Sequence, residues 1–179
     1  MSSTEKALPV NPGVIILDTT CFLQGVSFSR KDIRVAAPED VVNEVRSRIP
    51  KLRLEQMLSS GTVQICGATK EAVNAARQAA EKTGDLPNLS KPDIAVIALA
   101  MEQKKVNILP IVYTGDYAVQ NVLKSQGIAF RSVANDGIKA MIKWVYKCDA
   151  CKATFKAPPE GNVCPECGTE NHIVRQKKY

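Results

Sequence analysis

Val14-Ile15-Ile16-Leu17-Asp18 is a run of four aliphatic residues stopped by an acid. An unbroken run of this length predicts a strand covered on both faces, because a strand with one wet face would alternate apolar and polar residues. Further short apolar runs follow at Ile33–Ala37, Thr62–Cys66, Val106–Val112 and Ile128–Val133, the fourth interrupted by Pro110. Helical patterns lie between them. Pro38 opens one with Val41, Val42, Val45 and Ile49 on one side, ended by Pro50, and another spans Leu52–Leu58 before Gly61. Thr69 caps an alanine-rich helix to Lys82, with Gly84–Leu89 as the loop after it. Ser90 caps a strongly apolar helix to Gln103, and Thr114 or Asp116 opens a last one to Ser125, stopped by Gly127. Strands alternating with helices predict an α/β fold, a mostly parallel sheet flanked by helices.

The C-terminal part has a different character. Cys148-x-x-Cys151 and Cys164-x-x-Cys167 are separated by twelve residues. Each pair can turn as a knuckle that aims two thiolates at one point, and two knuckles supply the four sulfurs of a structural zinc site. Such a site has no open metal position, so chemistry is expected from the part before it. The expected organisation is a flexible lead over 1–12, the α/β domain over 13–134, a linker over 135–146, a zinc ribbon over 147–174 and a basic tail over 175–179. Asn135-Asp136-Gly137 marks a turn, and Ile138–Trp144 can link the two parts as a helix.

The chain has 179 residues and a formal net charge of +6. The longest apolar run, Ile94–Met101, is too short to cross a bilayer, and the N-terminus lacks the apolar stretch of a signal peptide; a cytoplasmic protein is expected. Cys21 and Cys66 stand alone in apolar strings and read as buried free thiols. From Lys139 to Tyr179 there are eight cations and four acids, which suggests a polyanionic partner, most simply nucleic acid, or else a lysine-rich solvated surface.

Ligands of open α/β sheets bind beyond the carboxyl ends of the strands. Asp18 and Asp116 fall there, and Glu44 and Asp93 lie on helices that follow strands. Carboxylates gathered at one edge repel each other unless they hold cations, for which Mg²⁺ or Mn²⁺ suits an all-oxygen set. Each acid also has a local reading: Asp18 in a turn, Glu44 paired with Arg48, Asp93 in a capping box with Ser90, and Asp116 as an N-cap.

Ile15-Ile16-Leu17-Asp18-Thr19-Thr20-Cys21-Phe22-Leu23 resembles the opening strand of PIN-domain ribonucleases. Val41-Val42-Asn43-Glu44-Val45, Leu89-Ser90-Lys91-Pro92-Asp93-Ile94 and Thr114-Gly115-Asp116 resemble the segments that bear the other three acids, in family order. The last two strings, followed by a four-cysteine ribbon, resemble the Nob-type endonucleases in their short, archaeal-like form. Those enzymes make the final 3′ cut on small-subunit ribosomal RNA. The resemblance implies a hydrolytic endoribonuclease in which Asp18, Glu44, Asp93 and Asp116 hold Mg²⁺ or Mn²⁺. Thr20 would hold a metal-bound water or a phosphate oxygen, and Thr114 would orient Asp116. Some members carry a further acid where Gly115 stands. The implied setting is precursor small-subunit ribosomal RNA on the immature small subunit, with no membrane.

Lys143, Lys147, Lys152, Lys156, Arg175 and Lys177 are candidate phosphate contacts. Phe155 can stack on a base or fill the space beside the zinc, with packing preferred. Trp144 is expected at the domain junction, and His172, with four cysteines already present, is not expected to bind zinc. Lys152 replaces the glycine that often follows the second cysteine of a knuckle and is expected to need an unusual backbone. No activating base accompanies Cys21, and no phosphate-binding glycine loop is present. The alternatives are a PIN nuclease acting on other RNA and a zinc-ribbon RNA-binding assembly factor whose PIN domain does not cut.

Overall fold

The computed structural model describes residues 13–26, 33–133, 137–138, 143–155 and 158–178. Val14–Leu17 forms β1, buried throughout as its composition requires. Arg34–Ala37 (β2), Gln64–Ile65 (β3), Pro110–Thr114 (β4) and Ala129–Ser132 (β5) complete a five-stranded sheet in the order β3-β2-β1-β4-β5, every pair parallel. The two central strands, β1 and β4, pair Leu17 with Tyr113. The chain crosses to opposite sides of the sheet from them, so the crevice beyond their carboxyl ends is the topological switch point.

The helices are Thr19–Gln24 (α1), Glu39–Glu44 (α2), Arg48–Ser59 (α3), Lys70–Thr83 (α4), Lys91–Lys105 (α5) and Tyr117–Ser125 (α6). α5 is apolar on all sides and is correspondingly central, with Ile94, Val96, Ile97, Ala98, Leu99 and Ala100 all buried. Ala76, Ala79 and Ala80 of α4 are buried in the same core and leave room for close helix–helix approach. Ile97→Ala leaves a void in this layer, and an unfolding titration in urea should show a loss of about 2–5 kcal/mol.

Several boundaries differ from the sequence reading. The helix opened at Pro38 does not run on to Pro50: it ends at Glu44, Val45 turns extended, and α3 begins at Arg48 with Pro50 inside its first turn. A proline there removes only a backbone N–H that has no intrahelical partner. Ile49, expected on the buried side, is consequently 62% exposed. Pro110 begins β4 rather than interrupting it. Cys21 is buried as expected, but Cys66 is only partly so.

Lys143–Cys148 (β6), Thr154–Phe155 (β7) and Ile173–Lys178 (β8) form a second, antiparallel sheet in the order β7-β6-β8. β6 thus takes in residues 143–146, assigned above to the linker, and Lys143 and Trp144 are strand rather than helix. Trp144 joins the two parts. Its indole Nε1 donates to Asp85 Oδ1 at 2.8 Å, and its Cβ lies against Gly84. Asp85 is buried and also accepts from Asn121 Nδ2 at 2.6 Å. Among the described residues, no helix is long and apolar enough to cross a membrane.

Candidate functional site

Three of the four predicted acids meet at the carboxyl edge of the central strands, each set there by the start of a helix. Asp18 follows β1 and caps α1, accepting Thr19 N–H on Oδ1 at 2.6 Å. Asp93 sits in the first turn of α5, where Oδ2 accepts the Ser90 N–H and hydroxyl, both at 2.7 Å. Asp116 caps α6, with Oδ1 accepting from Ala118 N at 2.6 Å and Val119 N at 3.3 Å. The local readings of these acids are therefore correct, and so is their convergence. The positive ends of three helices face the same crevice and partly offset the gathered negative charge.

A ring of hydroxyls fixes the centre. Asp18 Oδ2 accepts from Thr114 Oγ1 at 2.7 Å and from Thr20 Oγ1 at 3.0 Å. Thr20 Oγ1 accepts in turn from Gly115 N at 2.9 Å, and Thr114 Oγ1 from Asp116 N at 3.0 Å. Both threonines thus bond to Asp18 and to backbone of this edge, Thr114 through the Asp116 N–H. Thr114 is fully buried. Thr114→Val keeps the shape but removes the donor to Asp18 and the acceptor for Asp116, leaving a buried carboxylate one partner short. A thermal melt should show a loss of about 1–3 kcal/mol.

Glu44 stands further out. It is the last residue of α2, is exposed, and joins the others through Thr19, whose hydroxyl donates to Oε2 at 2.5 Å. It makes no ion pair with Arg48 among the described residues, since the two lie on separate helices. Thr19 therefore binds one acid with its backbone and another with its side chain, a role that the sequence reading did not assign. Its place directly after Asp18, at the first position of α1, was the available signal.

Burial pushes the Asp18 carboxyl above the ordinary carboxylate range; the Thr114, Thr20 and Thr19 hydrogen bonds oppose that shift, and the charge of Asp116 adds to it. Asp93 is likewise raised, first by burial, against the Ser90 bonds and with Asp18 and Asp116 adding. Among the described residues no lysine or arginine lies against these three acids. Asp93 Oδ1 and Asp116 Oδ2 have no hydrogen-bond partner there either. Among the described residues only the four cysteines are drawn together as closely as a metal's ligands. Mutually repelling, partly desolvated carboxylates without a lysine or arginine beside them are nevertheless a set that a divalent cation can neutralise. Cys21, beside them, is not a nucleophile: burial pushes its thiol up to about 12, and Sγ donates to the Tyr113 carbonyl.

The ribbon cysteines form a second, tighter centre. All four sulfurs lie within 4.8 Å of one another, with Cys148–Cys167 at 3.7 Å and Cys151–Cys164 at 3.6 Å. Zinc–sulfur bonds of about 2.3 Å in a tetrahedron put sulfurs about 3.8 Å apart, so the donors fit zinc. The knuckles match: Lys152 N bonds Cys148 O and Gly168 N bonds Cys164 O, at 2.9 and 2.8 Å. Lys152 adopts φ +66°, the left-handed backbone that Gly168 takes at +69° without a side chain to crowd it. Its ammonium turns back onto the Asp149 carbonyl at 2.5 Å. His172 is exposed and outside the cluster, and Phe155 is half-buried. Lys147 is half-buried; Lys156 and the side chains of Lys143, Arg175 and Lys177 lie outside the described residues.

Residues 15–103 match the family described as the PIN domain of ribonuclease. The chain is 38% identical to Endoribonuclease Nob1 of Pyrococcus abyssi over 92% of its own length and 95% of that protein's. It is 34% identical to Endoribonuclease Nob1 of Archaeoglobus fulgidus over 92% of each chain. Ribonuclease VapC1 of Thermoplasma acidophilum matches at 27% identity, over 92% of this chain and 80% of the relative. At these identities and with more than nine-tenths of each Nob1 protein covered, the chain belongs to the Nob1 family of PIN-domain endoribonucleases.

Proposed function

We propose that this endoribonuclease cuts the 3′ end of precursor small-subunit ribosomal RNA, at a centre where Asp18, Glu44, Asp93 and Asp116 hold Mg²⁺ or Mn²⁺. The observation that carries the reading is the convergence of Asp18, Asp93 and Asp116, with two carboxylate oxygens unpartnered and no lysine or arginine beside them among the described residues. A bound divalent ion supplies an activated water and neutralises charge that develops on the phosphodiester. Asp18 anchors the centre from β1, and Thr114 and Thr20, which donate to it, also hold the backbone N–H groups of Asp116 and Gly115. Asp93 and Asp116 each present one oxygen to the crevice while the other is held by a helix start. Glu44 completes the set from the rim through Thr19.

The ribbon, with zinc on Cys148, Cys151, Cys164 and Cys167, would place the strand. Lys143, Lys147, Lys152, Lys156, Arg175 and Lys177 contribute phosphate contacts that orient without reading sequence. The immature small subunit, in the cytoplasm, is the setting. The test is a short RNA spanning the mature 3′ end, incubated with Mn²⁺ and either wild-type protein or Asp93→Asn. One discrete cut at the mature end, lost in the variant, is expected. Cleavage by wild type at unrelated positions on the RNA would show that another RNA is the substrate.

A further inference from the structure

Residues 46–53 contain Arg46, Arg48, Lys51 and Arg53 and no acid. None of the four makes an ion pair among the described residues, and all are exposed. They lie between α2, which ends at Glu44, and the second turn of α3. α3 is poorly embedded at this end. Ile49 and Leu52 are 62% and 57% exposed, and the first fully buried residue of the helix is Leu54. The Arg53 guanidinium lies over Gly25 at the C-terminal end of α1, turned toward the neighbouring helix. Arg46, Arg48 and Lys51 are left as unpaired cations beside exposed aliphatic surface.

Their distance from the acids is limited by the chain itself. Glu44 hydrogen-bonds Thr19, next to Asp18. Two and four residues further on, the Cα atoms of Arg46 and Arg48 lie at most about 7 and 14 Å from that of Glu44. Each side chain adds several ångströms of reach.

We propose that Arg46, Arg48 and Lys51, with Ile49 and Leu52 between them, form a binding surface for single-stranded RNA directly beside the cleavage centre. The surface rests on the reading of the acids as that centre. The charges are complementary: carboxylates repel the phosphates on either side of the bond to be cut, and a cation row at their rim holds those phosphates close. The exposed aliphatic side chains are a cost on a purely solvated helix face, but they offer unstacked bases a surface to lie against. The ribbon then grips the strand at a distance, while α3 seats it at the acids.

The test compares three full-length, zinc-loaded proteins on a short unstructured RNA. They are wild type, R46Q/R48Q/K51Q, and a control, K70Q/R77Q/K105Q, which removes the same charge from exposed positions on α4 and α5. Affinity is measured by fluorescence anisotropy over a salt series, and cleavage with Mn²⁺ by initial rates. Each phosphate contact to a single strand contributes about 0.7 to the salt slope, so the α3 variant should lose a slope of about 2. Its KM should rise roughly tenfold with kcat within about twofold, while the control stays near wild type. An unchanged slope and KM in the α3 variant would overturn the proposal, and so would an equal loss in both variants. Asp93→Asn separates this surface from the catalytic reading. It should bind with the wild-type slope without cutting; if it cuts as wild type does, the acids are misassigned while the binding comparison still decides the surface.

Discussion

Asp93→Asn should lower Mn²⁺-dependent cleavage by at least about 10²–10³-fold, the scale on which removing one electrostatic contact to a reacting group acts. The same substitution should make the metal-free protein more stable. The amide oxygen can still accept from Ser90, so the start of α5 survives. What disappears is a desolvated charge facing Asp18 and Asp116. The sign follows from linkage. A carboxyl raised above its unfolded value binds more protons in the folded state, so folding is favoured below the ordinary carboxylate range. That stability is lost as pH rises from the ordinary value through the raised one. The loss grows in wild type as pH rises from the ordinary carboxylate range and is relieved at position 93 in the variant. Melting curves without divalent ions should therefore show the variant above wild type at neutral pH, with the gap closing in acid. Adding Mn²⁺ should raise wild type and leave the variant nearly unmoved. A variant less stable than wild type at neutral pH would show that Asp93 is a structural cap rather than part of a cation site.

Removing zinc should unfold the ribbon and leave the nuclease domain intact. Among the described residues beyond Ile128, only Cys148 and Cys164 count among the buried apolar ones, so the ribbon's interior is essentially its sulfurs. A three-stranded sheet with so little apolar burial cannot offset its conformational entropy, whereas structural zinc contributes about 10–16 kcal/mol in comparable small modules. The Thr169 hydroxyl and backbone hold the Cys167 thiol down at about 6, which supplies a thiolate for capture at neutral pH. Hydrogen exchange after chelation, or in Cys151→Ser, should show full loss of protection in β6, β7 and β8. The amides of β1, β4 and α5 should keep theirs. Protection retained in β6 and β8 without metal would mean that the ribbon sheet stands on its own.

The centre of the sheet was legible in the sequence because β1 is an unbroken aliphatic run and Ile111-Val112 of β4 is another, as a strand covered on both sides requires. The edge strands β3 and β5 carry Gln64, Arg131 and Ser132, are not fully buried, and left a weaker mark. α1 was not legible, since six residues starting Thr-Thr-Cys carry no helical period of their own; Asp18 and the packing of Cys21 and Phe22 make the helix. The prolines misled in both directions. Pro50 ends nothing because it lies in a first turn, and Pro110 breaks nothing because it starts its strand. For the acids, local capping and convergence looked like competing explanations. They coincide physically, because a parallel sheet directs successive helix starts to one edge, and the residue that caps a start is an acid pointing there. Glu44 and Thr19 depend on a contact across 25 positions, which no local pattern encodes.

Trp144 and Cys148 are four positions apart on β6, on the same side of an extended strand and about 13 Å from each other. One is fastened to Asp85 in the nuclease domain and the other belongs to the sulfur cluster. This short strand therefore works as a fixed-length strut between the nuclease domain and the sulfur cluster. A single residue added between Trp144 and Cys148 would turn the cluster to the opposite side of the strand, and with it the face that the ribbon presents beside the nuclease domain.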